Sequence, residues 1–598
     1  MREFSTPSTI SIPDSGNLTD DVVNHSREAA DEVVFRRRVA AGLEDVTARE
    51  FHAEVCATAK GLIAAGVEAG DRVAVISRTR YEWTLLDYAV WFAGAVTVPL
   101  YESSSVEQVA WILQDSGAAA VVVEGPEHLA RVRQAQRSGA LDDLSLVWSL
   151  SDQALDNLGR LGQDISDETL ERRRATATPL DLATIVYTSG TTAAPKGCML
   201  THGNFMFELG VTVEELGEVF DDEEASTLVF LPLAHVFARI IQVGAVKRRV
   251  PLGHSSDIKD LAADLDAFRP TFLLAVPRVF EKVFNTASQQ ATAAGHGKLF
   301  GRAANAAIAY SRALDDKRVP LRVRTQRALY DKLVYSQVRE ALGGRCRYAI
   351  SGGAPLGERL GHVFRGIGVT VLEGYGLTES TGALTVNLPH AHKIGTVGRP
   401  LPGTTVRVAD DGELLFRGGQ VFAGYWNDDR ATAQALDPDG WLHTGDVGEV
   451  DDEGFVRITG RRKEILVTTG GKNVSPTLLE ERVRAHDLVD HCLVVGDGQP
   501  FIGALVTIDR AAYAGLAGTS GLPREVADAL SHPVLVSAVQ AAVDDANGAV
   551  SQAEAIRKFV ILAQEWTEEG GQLTPSLKLK RHVVTREHRS EIEDLYLF

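Results

Sequence analysis

Between residues 43 and 124 of this 598-residue chain, short runs rich in β-branched residues alternate with helix-length segments, and this alternation restricts the fold more than any other feature. Residues 53–65 read as helix, 72–77 as a buried strand, 81–93 as helix, 96–99 as strand, the segment after Ser104 as helix and 118–123 as strand. Strand and helix in this rhythm imply a parallel sheet with crossover helices, an α/β architecture. The rhythm resumes at 226–231, 271–276, 348–351 and 369–373, each run followed by a polar turn, so a second sheet of the same type is expected. Residues 44–50 read only as a polar opening to the first helix, and 141–179 as charged helix or loop. Residues 278–342, rich in alanine and basic side chains, read as helices whose charges form a solvated face.

After Pro400 the text changes to short strands and turns, at 405–408, 413–417 and 454–459, which suggests a small β subdomain. Beyond Gly460-Arg461-Arg462-Lys463-Glu464 a last segment carries its own strands at 492–495 and 502–508 and its own helices. A chain this long exceeds a single core. The expected division is a large N-terminal domain, residues 1–460, with two parallel-type sheets and the small β subdomain, and a smaller α+β C-terminal domain, residues 461–598.

Charge narrows the choice of partners. A formal net charge of -19 speaks against nucleic acid, which demands a basic face. Any polyphosphate ligand must then meet locally concentrated positive charge. The cysteines, Cys56, Cys198, Cys346 and Cys492, lack metal-ligand spacing, so a reduced, cytoplasmic setting is the simplest expectation. The most continuous apolar run, residues 88–100, is too short to span a bilayer and reads as a buried helix passing into a strand. No amphipathic basic helix compels lipid association, although peripheral membrane contact to collect a lipid substrate stays open. Nothing in the sequence sets an oligomeric state.

The stretch Tyr187-Thr188-Ser189-Gly190-Thr191-Thr192-Ala193-Ala194-Pro195-Lys196-Gly197 follows an apolar run and carries the chemistry of a polyphosphate cradle. Glycine lets backbone N–H groups approach an anion, hydroxyls donate further hydrogen bonds, and lysine adds a mobile charge. It is not a Walker A loop, because Pro195 precedes the lysine and Gly197 follows it. On its own such a loop also reads as a polar turn.

Further stretches raise the weight of that loop: Phe230-Leu231-Pro232-Leu233-Ala234-His235, Ser351-Gly352-Gly353-Ala354-Pro355-Leu356, Tyr375-Gly376-Leu377-Thr378-Glu379, Trp441-Leu442-His443-Thr444-Gly445-Asp446 and Leu573-Thr574-Pro575-Ser576-Leu577-Lys578-Leu579-Lys580-Arg581. In this order, from about Val73 to the C-terminus, they resemble the adenylate-forming superfamily of acyl-CoA synthetases, adenylation domains and luciferases. Residues 276–282 and 470–476 resemble its long-chain fatty-acyl-CoA ligase branch, with actinobacterial members most alike.

The resemblance implies a set of roles. Thr188, Ser189, Gly190, Thr191, Thr192 and Lys196 would hold the ATP phosphates; Gly352, Gly353, Ala354 and Pro355 would lie against adenine; Glu373, Gly374, Tyr375 and Gly376 would belong to the same nucleotide site; Asp446 would accept from the ribose hydroxyls, with Arg461 beside it on ribose or phosphate. His235 would stand beside the carboxylate, Thr378 on a phosphate oxygen, and Glu379 on Mg²⁺, a hard cation suited to carboxylate oxygen. Lys463 would be the hinge of a mobile C-terminal domain, and Gly470, Gly471 and Lys472 would approach CoA. Lys578 would be the catalytic lysine. The family's glycine before it is Leu577 here, which keeps Lys580 as an alternative, although the spacing to Arg581 favours Lys578. Ala193 also stands where the family has glycine. The implied partners are ATP, Mg²⁺, CoA and a fatty acid, with an apolar tunnel around 229–246 in which Gly244 and Ala245 leave room for the chain. A carrier protein as acceptor, and an inactive acyl- or nucleotide-binding protein, are the alternatives.

Overall fold

The structure, a computed structural model, describes residues 2–597 apart from 138, 140, 142–143, 189–193 and 576, and omits the side chain of Thr519. Two large sheets face each other across shared helices. In the seven-stranded sheet the order is Gly424–Tyr425, Lys196–Thr201, Leu182–Thr188, Val96–Leu100, Arg72–Ile76, Ala118–Val123 and Leu146–Ser149. Its strands are parallel except at the Lys196–Thr201 side, where pairing turns antiparallel. The nine-stranded sheet runs Arg399–Pro400, Gly382–Val386, Thr370–Leu377, Tyr348–Ser351, Phe272–Ala275, Thr227–Val229, Leu252–His254, Val33–Val39 and Gly42–Thr47, parallel in the middle and antiparallel at both ends.

One hydrophobic core joins Val73 and Val75 of the first sheet to Phe35, Leu252 and Ile350 of the second through Trp83, Trp91 and Phe205 on intervening helices. Helix Tyr81–Phe92 is buried along nearly its whole length and leads into the buried strand Val96–Leu100, which explains the long apolar run. Inside this core lies an ion pair. Asp87 of that helix accepts from Nε of Arg239 at 2.8 Å, Arg239 lying on helix Val236–Arg248, and a second guanidinium nitrogen also donates to the carboxylate. Arg239 Nη1 donates to Thr184 Oγ1 at 2.6 Å, and the guanidinium sits 5.3–5.8 Å from the ring centres of Trp83, Trp91 and Phe205. Both charged side chains are fully buried.

The small β subdomain is a five-stranded antiparallel sheet of Glu3–Ser5, Thr405–Val408, Glu413–Arg417, Leu442–Val450 and Val456–Arg461. The chain then makes the short turn Arg462–Glu464 and builds a unit with its own core, in which Val489–Val495, Ile502–Ile508 and Ile556–Leu562 form a sheet against helices Pro476–Arg484 and Pro533–Asn547.

Some of the structure departs from the sequence reading. Residues 42–47 are not merely a polar lead-in: Gly42–Thr47 is an outer strand hairpinned to Val33–Val39. Its charged residues suit an edge strand, where they discourage further pairing. Thr47 then caps helix Ala48–Ala64 with Glu50 in a reciprocal capping box, so the helix starts earlier than residue 53. The stretch read as charged helix or loop contains the edge strand Leu146–Ser149. The N-terminal strand Glu3–Ser5 carried no periodicity, and it forms by pairing with Thr405–Val408.

Candidate active site

The stretch read as a polyphosphate cradle spans a hairpin. Leu182–Thr188 is parallel to Val96–Leu100, yet the chain returns antiparallel as Lys196–Thr201, pairing Thr188 with Lys196. The β-capable residues after the loop favour a return strand over the helix that usually follows a phosphate loop. Ser189, Gly190, Thr191, Thr192 and Ala193 lie outside the described residues. Thr188 and Lys196, at the hairpin base, line a cleft of about 2850 Å³ between the N-terminal sheets and the C-terminal unit.

Lys196 Nζ lies 5.2 Å from the ring centre of Tyr425 and 3.8 Å from an Asp428 oxygen. The Tyr425 hydroxyl donates to Glu379 Oε1 at 2.7 Å, so one aromatic side chain links the loop lysine to the acidic residue. Sequence reasoning missed Tyr425. Its only local signal is Gly-Tyr-Trp between turns, and its placement comes from pairing with Cys198. Thr378 and Glu379 occupy a single tight turn at the end of strand Thr370–Leu377. In that strand Gly376 passes so near the chain opposite that a Cβ would lie 1.7 Å from the Gly382 carbonyl oxygen, which only glycine allows.

Glu373 holds the turn that carries Gly352, Gly353, Ala354 and Pro355. It accepts from the Leu356 N–H at 3.0 Å, and burial raises its carboxyl to about 7. Its direct role is therefore positioning that turn. Gly353, at φ +83°, leaves room for a lysine: a Cβ there would lie 3.4 Å from Lys578 Cε and 3.6 Å from Nζ. The C-terminal unit thus inserts Lys578 into the N-terminal site. Burial, reinforced by the Arg461 guanidinium and opposed by Asp446, lowers Lys578 to about 8. Lys580 instead stands at the start of helix Arg581–Glu587, its N–H bonded to Gln572 O at 2.8 Å.

The departure at Leu577 has a geometric consequence. Leu577 N–H bonds Thr574 O, Lys578 N–H bonds Thr574 Oγ1, and Leu577 adopts φ +60°, a left-handed conformation that suits glycine. Its side chain packs against the cluster of Leu493, Trp566 and Leu573. Leu577→Gly therefore relieves backbone strain while losing packing, whereas Leu577→Ala loses packing and keeps the strain. The glycine variant is expected to be more stable than the alanine variant by about 1 kcal/mol, measured by urea unfolding of the two side by side.

Asp446 and Arg461 face each other across adjacent strands. Asp446 Oδ2 accepts from the Tyr375 hydroxyl at 2.6 Å, and Oδ1 forms an ion pair with Arg461, 3.0 Å from its Nε. Both carboxylate oxygens are thus engaged, one by a hydrogen bond and one by an ion pair. His235 caps helix Val236–Arg248, its Nδ1 accepting from the Phe237 N–H at 3.1 Å. Nδ1 is therefore unprotonated, and the neutral ring carries its proton on Nε2. Burial, with the nearby Lys578 charge, lowers His235 to about 3, so the ring stays a neutral donor at physiological pH.

Beyond His235 the cleft is lined by Thr212, Leu216, Ile240, Ile241 and Ile350. Gly244 does not open it. A Cβ at Gly244 would meet Leu209 and Val213 side chains at 3.3 Å, so its smallness serves helix packing, and Ala245 is buried in the main core. The solvated-face reading of residues 278–342 also fails at its first residue. Arg278 donates to the Asp490 carbonyl at 2.8 Å and pairs with the Asp490 carboxylate, tying the two parts of the chain together. Lys463 is exposed in the Arg462–Glu464 turn. Gly470, Gly471 and Lys472 form an exposed turn on the C-terminal unit outside the cleft lining, with Lys472 Nζ 3.3 Å from Glu554.

Among the described residues, no helix is long and apolar enough to cross a membrane. The sequence pattern described as AMP-binding enzyme matches residues 24–426, and that described as AMP-binding enzyme C-terminal domain matches 463–597. The long-chain-fatty-acid–CoA ligase FadD15 of Mycobacterium tuberculosis is 47% identical over 609 aligned residues, covering 100% of both chains. The long-chain-fatty-acid–CoA ligase ACSBG2 of Xenopus laevis is 30% identical, with 92% of this chain and 79% of that one covered. Among solved structures, the didomain of a carboxylic acid reductase from Segniliparus rugosus in complex with AMP superposes with a TM-score of 0.75 at 22% identity, covering 97% of this chain and 82% of that one. Two family patterns in the expected order and full-length similarity to a mycobacterial relative lead to one conclusion: the chain belongs to the AMP-binding, adenylate-forming enzyme family.

Proposed function

We propose that this protein is an AMP-forming long-chain fatty acid:CoA ligase, with residues 1–460 binding acid and nucleotide and residues 461–598 acting as a mobile domain that hinges at Lys463. The observation that carries the reading is Lys578, delivered from the C-terminal unit onto Gly353, within a cleft shared with Asp446, Glu379 and the apolar residues beyond His235. The acyl class comes from the named activity of the relatives that match along the whole chain.

A carboxylate is a poor acyl donor because its leaving group would be oxide. Attack of a carboxylate oxygen on the α-phosphorus of ATP forms the acyl adenylate and expels pyrophosphate; a thiol then attacks the acyl carbon and expels AMP. The first step brings anions together and needs charge neutralisation above all. Lys578 supplies it at the α-phosphate and the acid, while Lys196 and Thr188 attend the leaving phosphates. His235 donates its Nε2–H toward the acid. Asp446 exchanges its Tyr375 hydrogen bond and its Arg461 ion pair for ribose hydroxyls. The Glu379 carboxylate, oriented by Tyr425, would provide a hard oxygen ligand to an Mg²⁺ ion. Bound Mg²⁺ would supply further neutralisation of the phosphates. Rotation at Lys463 would break the Arg278–Asp490 contact, withdraw Lys578 and turn Gly470, Gly471 and Lys472 toward CoA.

The test is turnover with Mg·ATP and hexadecanoate, with and without CoA. Sustained AMP and acyl-CoA formation only with CoA supports the ligase. Adenylate without thioester supports delivery to a carrier protein, and no turnover across a panel of acids sinks both. The same assay carries a pH prediction. Lys578 must be protonated to neutralise charge, and its value of about 8 places the loss of the ammonium just above neutrality. In the free enzyme kcat/KM for adenylation should therefore fall about tenfold between pH 7 and pH 9. Lys578→Arg, which keeps its charge, should flatten that alkaline limb.

A further inference from the structure

Glu208 is a carboxyl group without a cationic partner among the described residues, set in the apolar part of the cleft. It lies on helix His202–Glu215 and is fully buried. Glu208 and Thr212, four residues apart, share one helical stripe, Leu216 caps the helix end, and all three line the cleft together with Ile240 and Ile241. A hydrocarbon chain asks nothing of a carboxyl group there.

Half of this carboxyl has a structural task. The register of Thr370–Leu377 against Gly382–Val386 shifts between Tyr375 and Gly376, and the Ala383 N–H turns to Glu208 Oε1 at 3.0 Å. Thr212 Oγ1 donates to the same oxygen at 3.0 Å. Oε2 has no hydrogen-bond partner among the described residues. No neighbouring positive charge offsets its burial, which raises the group to about 8 and keeps it mostly protonated at neutral pH. A protonated carboxyl with Oε1 accepting twice leaves Oε2–H as a donor in need of an acceptor.

Resting on the ligase reading above, we propose that Glu208 is a specificity-determining residue that hydrogen-bonds an oxygen substituent on the acyl chain, so that the enzyme selects hydroxy or keto fatty acids oxygenated at the position passing Oε2. The adjoining backbone locates that position. Gly382 is next to Ala383, and a Cβ there would come within 3.3 Å of Glu208 Oε1 and 3.1 Å of Ile240. Gly382 also backs directly onto Gly376, in the strand that carries Tyr375 into the nucleotide site. The reading point therefore belongs to the half of the chain nearer the reacting carboxylate. A site built around a buried polar group discriminates strongly against ligands that leave it unpaired.

The experiment measures kcat/KM of the full-length enzyme, by AMP release with ATP and CoA, for hexadecanoate and its monohydroxy isomers. One isomer, or two adjacent ones, in the proximal half should equal or exceed hexadecanoate, while the other internal isomers fall about tenfold or more below it. Glu208→Leu should lower the ratio of the favoured isomer to hexadecanoate at least about tenfold, and Glu208→Gln, which keeps an acceptor for Ala383 and a donor for the ligand, should hold that ratio within about threefold. Rejection of every internal isomer alike in the wild type overturns the proposal, as does an unchanged ratio in Glu208→Leu. Should the leucine variant not fold, the wild-type isomer profile and the glutamine variant still decide. Absence of any CoA-dependent turnover, plain acid included, is a different failure and removes the ligase reading itself.

Discussion

Lys578→Ala should abolish adenylation while sparing thioester formation from supplied acyl adenylate. The expected loss in the first half-reaction is about 10²–10³-fold, the scale on which a single group stabilising transition-state charge contributes. In the second half-reaction the variant should stay within about threefold of the wild type, because that step disperses anionic charge onto AMP and, under the proposed rotation, follows withdrawal of the lysine. Pyrophosphate release from ATP and acid checks the first, and CoA-dependent consumption of synthetic acyl adenylate checks the second. Equal losses in both would remove Lys578 from the role given to it here. Lys580→Ala is the matched control. Its residue begins a helix, two positions from the one that reaches Gly353, and its adenylation should change little by comparison.

Arg239→Met should destabilise the N-terminal part of the protein severely. The guanidinium pairs with Asp87, bonds Thr184 and lies among three aromatic rings with no access to water. Removing the cation strands a fully buried carboxylate, a change that costs about 3–5 kcal/mol in comparable sites. The double variant Arg239→Met/Asp87→Leu removes both charges and should recover most of that loss, since an apolar pair of similar bulk escapes the desolvation cost. Chemical denaturation of the single and double variants checks the prediction. Because the chain has several cores, the transition should be followed in this one, by hydrogen exchange of the amides of helix Tyr81–Phe92. A double variant as unstable as Arg239→Met alone would show that shape, more than charge, is what Arg239 provides.

How far the sequence announced these features depends on where each one gets its order. The strands Arg72–Ile76, Val96–Leu100 and Tyr348–Ser351 are short, mostly apolar, β-rich runs bounded by turns and buried along nearly their whole length, so their composition marks them. Gly42–Thr47 and Leu146–Ser149 lie at sheet edges, where charged or mixed side chains are permitted and the apolar signal fades. Glu3–Ser5 is a strand only because Thr405–Val408 is there to pair with it. In the site, Asp446, Glu379 and Lys578 stand in stretches that resemble a family. Tyr425 and Glu208 have no such stretch, and their importance arises from contacts with Glu379, Lys196 and Ala383, all distant in sequence. The resemblance could name Glu373 but not its direct contact, which is with the Leu356 N–H.

The pairing of Glu3–Ser5 with Thr405–Val408 also bears on how the molecule is made. A chain emerging from the ribosome presents its first strand long before the partner exists, and Val33–Val39 likewise waits for Leu252–His254. Until those partners arrive, both carry unsatisfied backbone donors and acceptors, the condition under which nascent strands find the wrong neighbour. The seven-stranded sheet begins assembling from nearby segments, Arg72–Ile76 with Val96–Leu100 and Ala118–Val123, and offers an early nucleus. Biogenesis should thus proceed outward from that sheet, with the nine-stranded sheet closing later and the N-terminal strand docking among the last events. Conditions that hasten synthesis or crowd nascent chains should therefore cost yield at the nine-stranded and five-stranded sheets before they touch the seven-stranded one.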